Sequence, residues 1–137
     1  MDQNYKIGIM PKSAVLIVLL LGAWMCEGNS KNMINLNTSE PSVSLKVGEK
    51  CYFTFEKWSS VGFKAEYTIG DETIIQAVEK KINYVHPLKV ISGMPGSDEA
   101  KGMFIFQAQR AGKTYLILHK VFRGEVRSEK TINVSVK

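Results

Sequence analysis

From residue 43 onward, apolar and polar positions alternate in short runs. VSLKV (43–47) is the first; KCYFTFE (50–56) puts Cys51, Phe53 and Phe55 on one face and Tyr52 and Thr54 on the other; FKAEYTI (63–69) is the third. Each run stops at turn residues: Gly48-Glu49, the stretch EKWSSVGF (56–63), and Gly70-Asp71. A period of two between turn signals predicts β-strands. TIIQAV (73–78) reads as a strand or a short edge segment, and KINYVHPLKVI (81–91) is expected to run extended, with Pro87 marking an edge or a break. MFIFQAQ (103–109) is a further strand. KTYLILHKVF (113–122) is apolar on both faces, as a central strand covered on both sides is, and TINVSVK (131–137) closes the chain with Ile132, Val134 and Val136 on one face.

Between these runs lie stretches without a period. SGMPGSDEAKG (92–102) is expected to be a loop, longer than the usual two to six residues, and FRGEVRSEK (122–130) a second one. Seven or eight short strands in residues 41–137 predict an all-β, immunoglobulin-like β-sandwich. Loops at one end of such a sandwich cluster in space, which singles out residues 57–62, 93–102 and 122–127 as one candidate surface.

The start of the chain has a different pattern. A weakly basic beginning with Lys6 and Lys12 leads into the apolar run at residues 14–26 and then polar EGNSKN. The run falls short of the roughly 20 residues that span a bilayer as a helix. It is therefore expected to be a signal peptide ending at residue 28, with residues 29–40 a polar tether. Two processing routes stay open: a cut after Gly28, giving a free form, or a lipoprotein signal that ends before Cys26 and lipidates it. Either puts the domain outside the cytoplasm, secreted or periplasmic, and touching a membrane only through such a lipid. With Cys26 removed or lipidated, Cys51 has no disulfide partner and reads as a small buried hydrophobe.

Charge narrows the function classes. The net charge of +5 comes from basic residues scattered along the chain, with no run and no aromatic platform between them, so no nucleic-acid partner is expected. His86 and His119 have no ligand at metal-binding spacing, and there is neither a GxSxG elbow nor a phosphate-cradling GxxxxGK. Asp98-Glu99 reads as a solvated loop tip. The expectation is a binding protein without cofactor or metal, monomeric, and not an enzyme. Asn37 (NTS) and Asn133 (NVS) have the spacing of glycan acceptors.

Beyond this pattern, VGEKCYFTFEKWSSVGF resembles the chagasin family of inhibitors of papain-like cysteine peptidases, with a V-G-(D/E) turn, an alternating strand and a loop closing on Gly-aromatic. AGKTYLILHKVFRGE is similar to that family's Ala-Gly turn, long apolar strand and arginine-bearing loop, and RSEKTINVSVK to its last strand. The resemblance covers residues 40–137 and implies an immunoglobulin-like sandwich whose three end loops wedge reversibly into the peptidase cleft. It implies a papain-like cysteine peptidase as partner. Under the family's NPTTG loop lie Trp58, Ser59, Ser60, Val61 and Gly62; under its GxGG loop lie Gly93, Met94, Pro95 and Gly96, with proline at the third position. At the family's R-P-(W/F) loop the chain reads Phe122, Arg123, Gly124, Glu125, with Arg123 standing for the arginine and the proline and following aromatic absent.

Trp58 carries two readings, an aromatic anchor for the wedge or a ring folded back over Phe63 or Phe122. Two other functions stay open: an exported or lipid-anchored immunoglobulin-like binding or adhesion module that has lost inhibition, and a carbohydrate binder stacking a sugar on Trp58 and Tyr115.

Overall fold

The computed structural model describes residues 32–38 and 40–137. Its elements are β1 (Ile34–Asn35), β2 (Ser42–Leu45), β3 (Lys50–Trp58), β4 (Phe63–Ile69), β5 (Ile75–Tyr84), the short helix α1 (Pro87–Ile91), β6 (Glu99–Ala108), β7 (Gly112–Phe122) and β8 (Glu125–Val136). Hydrogen bonding links them in the order β2-β8-β7-β4-β3-β6-β5, with β1 added beside β3. The β3–β4 link is a single residue pair, Trp58 with Phe63. There the path folds over, so that β2, β8, β7 and β4 form one layer and β1, β3, β6 and β5 the other.

Alternation decides what fills the space between the layers. Cys51, Phe53 and Phe55 of β3 point inward with Phe104, Phe106 and Ala108 of β6, and meet Leu116, Leu118, Ile132, Val134 and Val136 of the opposite layer in one buried cluster. Tyr67 of β4 sets its ring edge-on to Phe104 and Phe106, at 4.9 and 5.2 Å between centroids, which is a cross-layer contact. The fold class expected from the pattern is therefore the one observed, an immunoglobulin-like β-sandwich.

Several local expectations are revised. The segment read as a polar tether contributes to the sandwich: β1 pairs in parallel with Cys51 and Tyr52, Leu36 is fully buried, and the Lys130 ammonium donates to the Leu36 carbonyl at 2.7 Å. Asn37 bonds both the amide and the carbonyl of Thr54, each at 2.8 Å. Residues 1–31, and with them the signal peptide, its cleavage site and Cys26, lie outside the described residues.

The run 81–91 is not extended throughout. β5 ends at Tyr84 and the chain turns into α1, with Pro87 in the first helical turn, where its fixed φ suits a helix and its missing N–H costs nothing. The stretch 92–102 is a loop only to Asp98, because residues 99–102 pair with β3 as the start of β6. The stretch 122–130 is not a loop either. Phe122 pairs with Glu125, so Arg123 and Gly124 alone make the turn and β7 and β8 continue as a hairpin. Both turn residues have positive φ, +50° and +82°, as a two-residue turn matched to strand twist requires.

Candidate functional site

Strand register sets the three candidate loops side by side. Glu99 of β6 lies opposite Trp58, Trp58 opposite Phe63, Phe63 opposite Phe122, and Phe122 opposite Glu125. One row of paired residues thus runs across β6, β3, β4, β7 and β8 at one end of the sandwich. From it project three segments: residues 85–98, which include α1; the turn 59–62; and the turn 123–124. The turn 59–62 is in the middle and touches both neighbours.

Its own conformation is fixed by the backbone. The amides of Val61 and Gly62 both donate to the Trp58 carbonyl, at 3.1 and 2.9 Å, and Gly62 has φ +98°. On one side the Gly62 carbonyl accepts the Arg123 amide at 2.9 Å. A Cβ on Gly62 would meet Arg123 Cγ at 3.0 Å and its amide nitrogen at 3.2 Å, so glycine suits the close approach as well as the φ. On the other side the Trp58 indole N–H donates to the Gly96 carbonyl at 3.2 Å. Ser60 donates its amide and its hydroxyl to the two oxygens of Asp98, at 2.8 and 2.5 Å. These bonds hold the Asp98 carboxyl below its ordinary pKa, because both favour the charged form.

Each residue singled out in the sequence has a definite place. Trp58 and Val61 are half-buried, while Ser59 and Ser60 are exposed. Gly93 ends α1 at φ +71°, with the Met94 amide donating back to the Lys89 carbonyl at 3.1 Å, a left-handed helix stop. Met94, Pro95 and Gly96 are exposed beyond it. Phe122 stacks on Phe63 at 4.4 Å between centroids, and the Arg123 guanidinium lies over the Phe122 ring at 5.1 Å. The ring partner at this end is therefore Phe63 with Phe122, and Trp58 is tied sideways to the second segment. Arg123 is a non-glycine residue at φ +50°, a conformation that costs about 1 kcal/mol and gathers at functional turns.

Two features escape the sequence pattern. Leu88 and Ile91 of α1 are 81% and 82% exposed, beside Met94 at 54%, so three large apolar side chains spaced by three stand in solvent next to the loop cluster. A helix of five residues is too short to show a period, so the signal to look for was apolar residues flanking Pro87. Asp98, read as a solvated tip, is instead bonded into the central turn. Tyr115 is at the far end of the β4–β7 ladder from Phe122, so it and Trp58 do not share a surface, and a sugar stacked on both is ruled out. Among the described residues, no group of three or more His, Cys, Asp or Glu is placed to hold a metal ion.

The fold defines a class, an immunoglobulin-like sandwich, here with three segments projecting side by side from one end. No protein-family model matches the sequence, and neither does any curated protein. Among solved structures, the cysteine protease inhibitor EhICP2 from Entamoeba histolytica aligns with a TM-score of 0.58 at 13% identity, over 77% of this chain and 95% of that one. The solution structure of amebosin aligns with a TM-score of 0.45 at 12% identity, over 77% and 96%, too distant to argue from. The first likeness is one of fold. The chain thus shares the fold of a cysteine protease inhibitor.

Proposed function

We propose that this protein is a reversible, non-covalent inhibitor of papain-like cysteine peptidases, which it occludes by inserting the end of the sandwich into the active-site cleft. The observation that carries the reading is the continuous row from Glu99 to Glu125, which projects three segments as one edge. The fold shared with a cysteine protease inhibitor supports the choice of partner.

An inhibitor of this kind does no chemistry and has to resist it. The turn 59–62 is pinned at both sides by Gly96, Asp98 and Arg123, so its peptide bonds are held away from the extended form that a peptidase cleaves. Affinity then comes from apolar anchors that the free protein already exposes: Leu88, Ile91 and Met94 on one flank and the Phe63–Phe122 stack on the other. A contact of this type buries on the order of 800 Å² per partner. The same proposal has the domain act outside the cytoplasm as a monomer, on the strength of the apolar run at residues 14–26 for the first point.

The test is a titration of papain and of a cathepsin-type peptidase with the protein, following residual activity and the integrity of the added chain. Activity falls stoichiometrically, returns on dilution, and the protein stays uncut. A Leu88→Ser/Ile91→Ser variant binds at least about tenfold more weakly with an unchanged melting temperature, since neither side chain is packed. No inhibition at micromolar concentration, about 8 kcal/mol of binding free energy, overturns the reading and leaves a binding module of another kind.

A further inference from the structure

We propose that Asp98 is a positioning residue for peptidase binding: its carboxylate locks the turn 59–62 to the segment 85–98, so that the two reach the cleft as a single preformed edge. The inference rests on the inhibitor reading and adds to it the group that makes the edge rigid.

The geometry is that of a clasp. Both carboxylate oxygens of Asp98 are engaged, one by the Ser60 amide at 2.8 Å and the other by its hydroxyl at 2.5 Å. The neighbouring amides of Val61 and Gly62 close the turn internally on Trp58, whereas the Ser60 amide is turned outward to the other segment. The bond from the Trp58 indole to Gly96 makes a third link between stretches 38 residues apart in sequence. At its root the segment is closed by the Val85 amide donating to the Glu99 carbonyl at 2.9 Å. At its tip Gly93 and Gly96 have positive φ, a Cβ on either would meet no atom within 4 Å, and the hydrogen bonds Met94 makes to Lys89 and Ser97 stay within the segment.

The clasp matters for binding more than for folding. Ser60 is exposed and Asp98 half-exposed, so releasing them opens no cavity in the core. It does let two loops that must fit one cleft move independently. The apparent affinity then falls by the fraction of molecules in the clasped form.

The experiment measures affinity for papain, melting temperature and hydrogen exchange of the Ser60 amide for the unmodified protein and for Asp98→Ala, Asp98→Asn, Ser60→Ala and Asp98→Ala/Ser60→Ala. Asp98→Ala weakens binding roughly tenfold, exposes the Ser60 amide to exchange, and lowers the melting temperature by only a few degrees, far less than a core substitution does. Asp98→Asn keeps one acceptor oxygen and recovers part of the affinity. The double variant binds no more weakly than Asp98→Ala alone, since one clasp is broken in both. Binding unchanged in Asp98→Ala overturns the inference and leaves the inhibitor reading intact, and so do losses from Asp98 and Ser60 that simply add. Failure of the unmodified protein to bind overturns both, and is read from that protein alone.

Discussion

Replacing Gly62 by alanine tests how the central turn and the turn 123–124 are held together. Two costs act at Gly62. Its φ of +98° lies where an L side chain is disfavoured, at about 1–2 kcal/mol. The new methyl would also stand 3.0 Å from Arg123 Cγ and 3.2 and 3.3 Å from that residue's backbone N and Cα. Overpacking of this sort costs about 1–3 kcal/mol when the neighbour cannot yield. Arg123 is poorly able to yield, since its amide is bonded to the Gly62 carbonyl at 2.9 Å. The total is about 2–5 kcal/mol.

Gly124 supplies the control. It has a similar φ, +82°, but a methyl added there would have no atom within 4 Å, so Gly124→Ala meets the first cost alone. At about 4–8 °C per kcal/mol for a domain of this size, Gly62→Ala melts on the order of 10 °C or more below the unmodified protein. Gly124→Ala falls by about half as much. Thermal unfolding followed by circular dichroism, run on both variants, makes the comparison. Equal losses from the two variants would refute the claim that Arg123 presses on Gly62.

Other consequences are open to direct measurement. Cys51 is fully buried, and burial pushes its thiol up to about 12, so iodoacetamide at about pH 8 leaves it unmodified in the native protein and labels it in denaturant, as read by mass spectrometry. Lys130→Met keeps the aliphatic stem but removes the donor to the Leu36 carbonyl; the loss of about 1–2 kcal/mol in urea unfolding comes with faster proteolysis near residues 32–38. Asp98 titrates below the ordinary carboxylate range because Ser60 bonds its charged form. The stability this confers is complete above that range and is lost as the pH falls through the lowered pKa. Accordingly, the difference in stability between the unmodified protein and Asp98→Ala is constant near neutral pH and vanishes in stronger acid.

The strands were legible where one face is buried. In KCYFTF and TINVSVK the alternation assigns every inward residue correctly, because a one-residue slip would turn the core to solvent. The strand 63–69 has the bounds that its flanking glycine and turn residues set. Legibility fails where burial stops deciding. Residues 125–129 of β8 are exposed on both faces, so a hairpin held there by backbone pairing and surface side-chain contacts, with none of these residues buried, looks polar and irregular in sequence. Helix α1 is five residues long with none buried, and only its Pro87 and Gly93 mark it.

The site was legible in outline and not in its connections. Three loops could be named because strands in a sandwich return their ends to the same side. That Ser60 meets Asp98, and Gly62 meets Arg123, depends on which strands are neighbours, and register is a property of the whole sheet. Trp58 shows the difference: its type suggested an anchor, and its indole N–H is already committed to Gly96.

The proposal that this end of the molecule binds a peptidase is tested most directly by a hydrogen-exchange footprint of the protein with and without papain. The prediction is slowed exchange confined to residues 59–62, 87–98 and 122–125, with the outer face of β2 and β8 unchanged. Protection along β2 and β8, or no change anywhere at saturating papain, would contradict it.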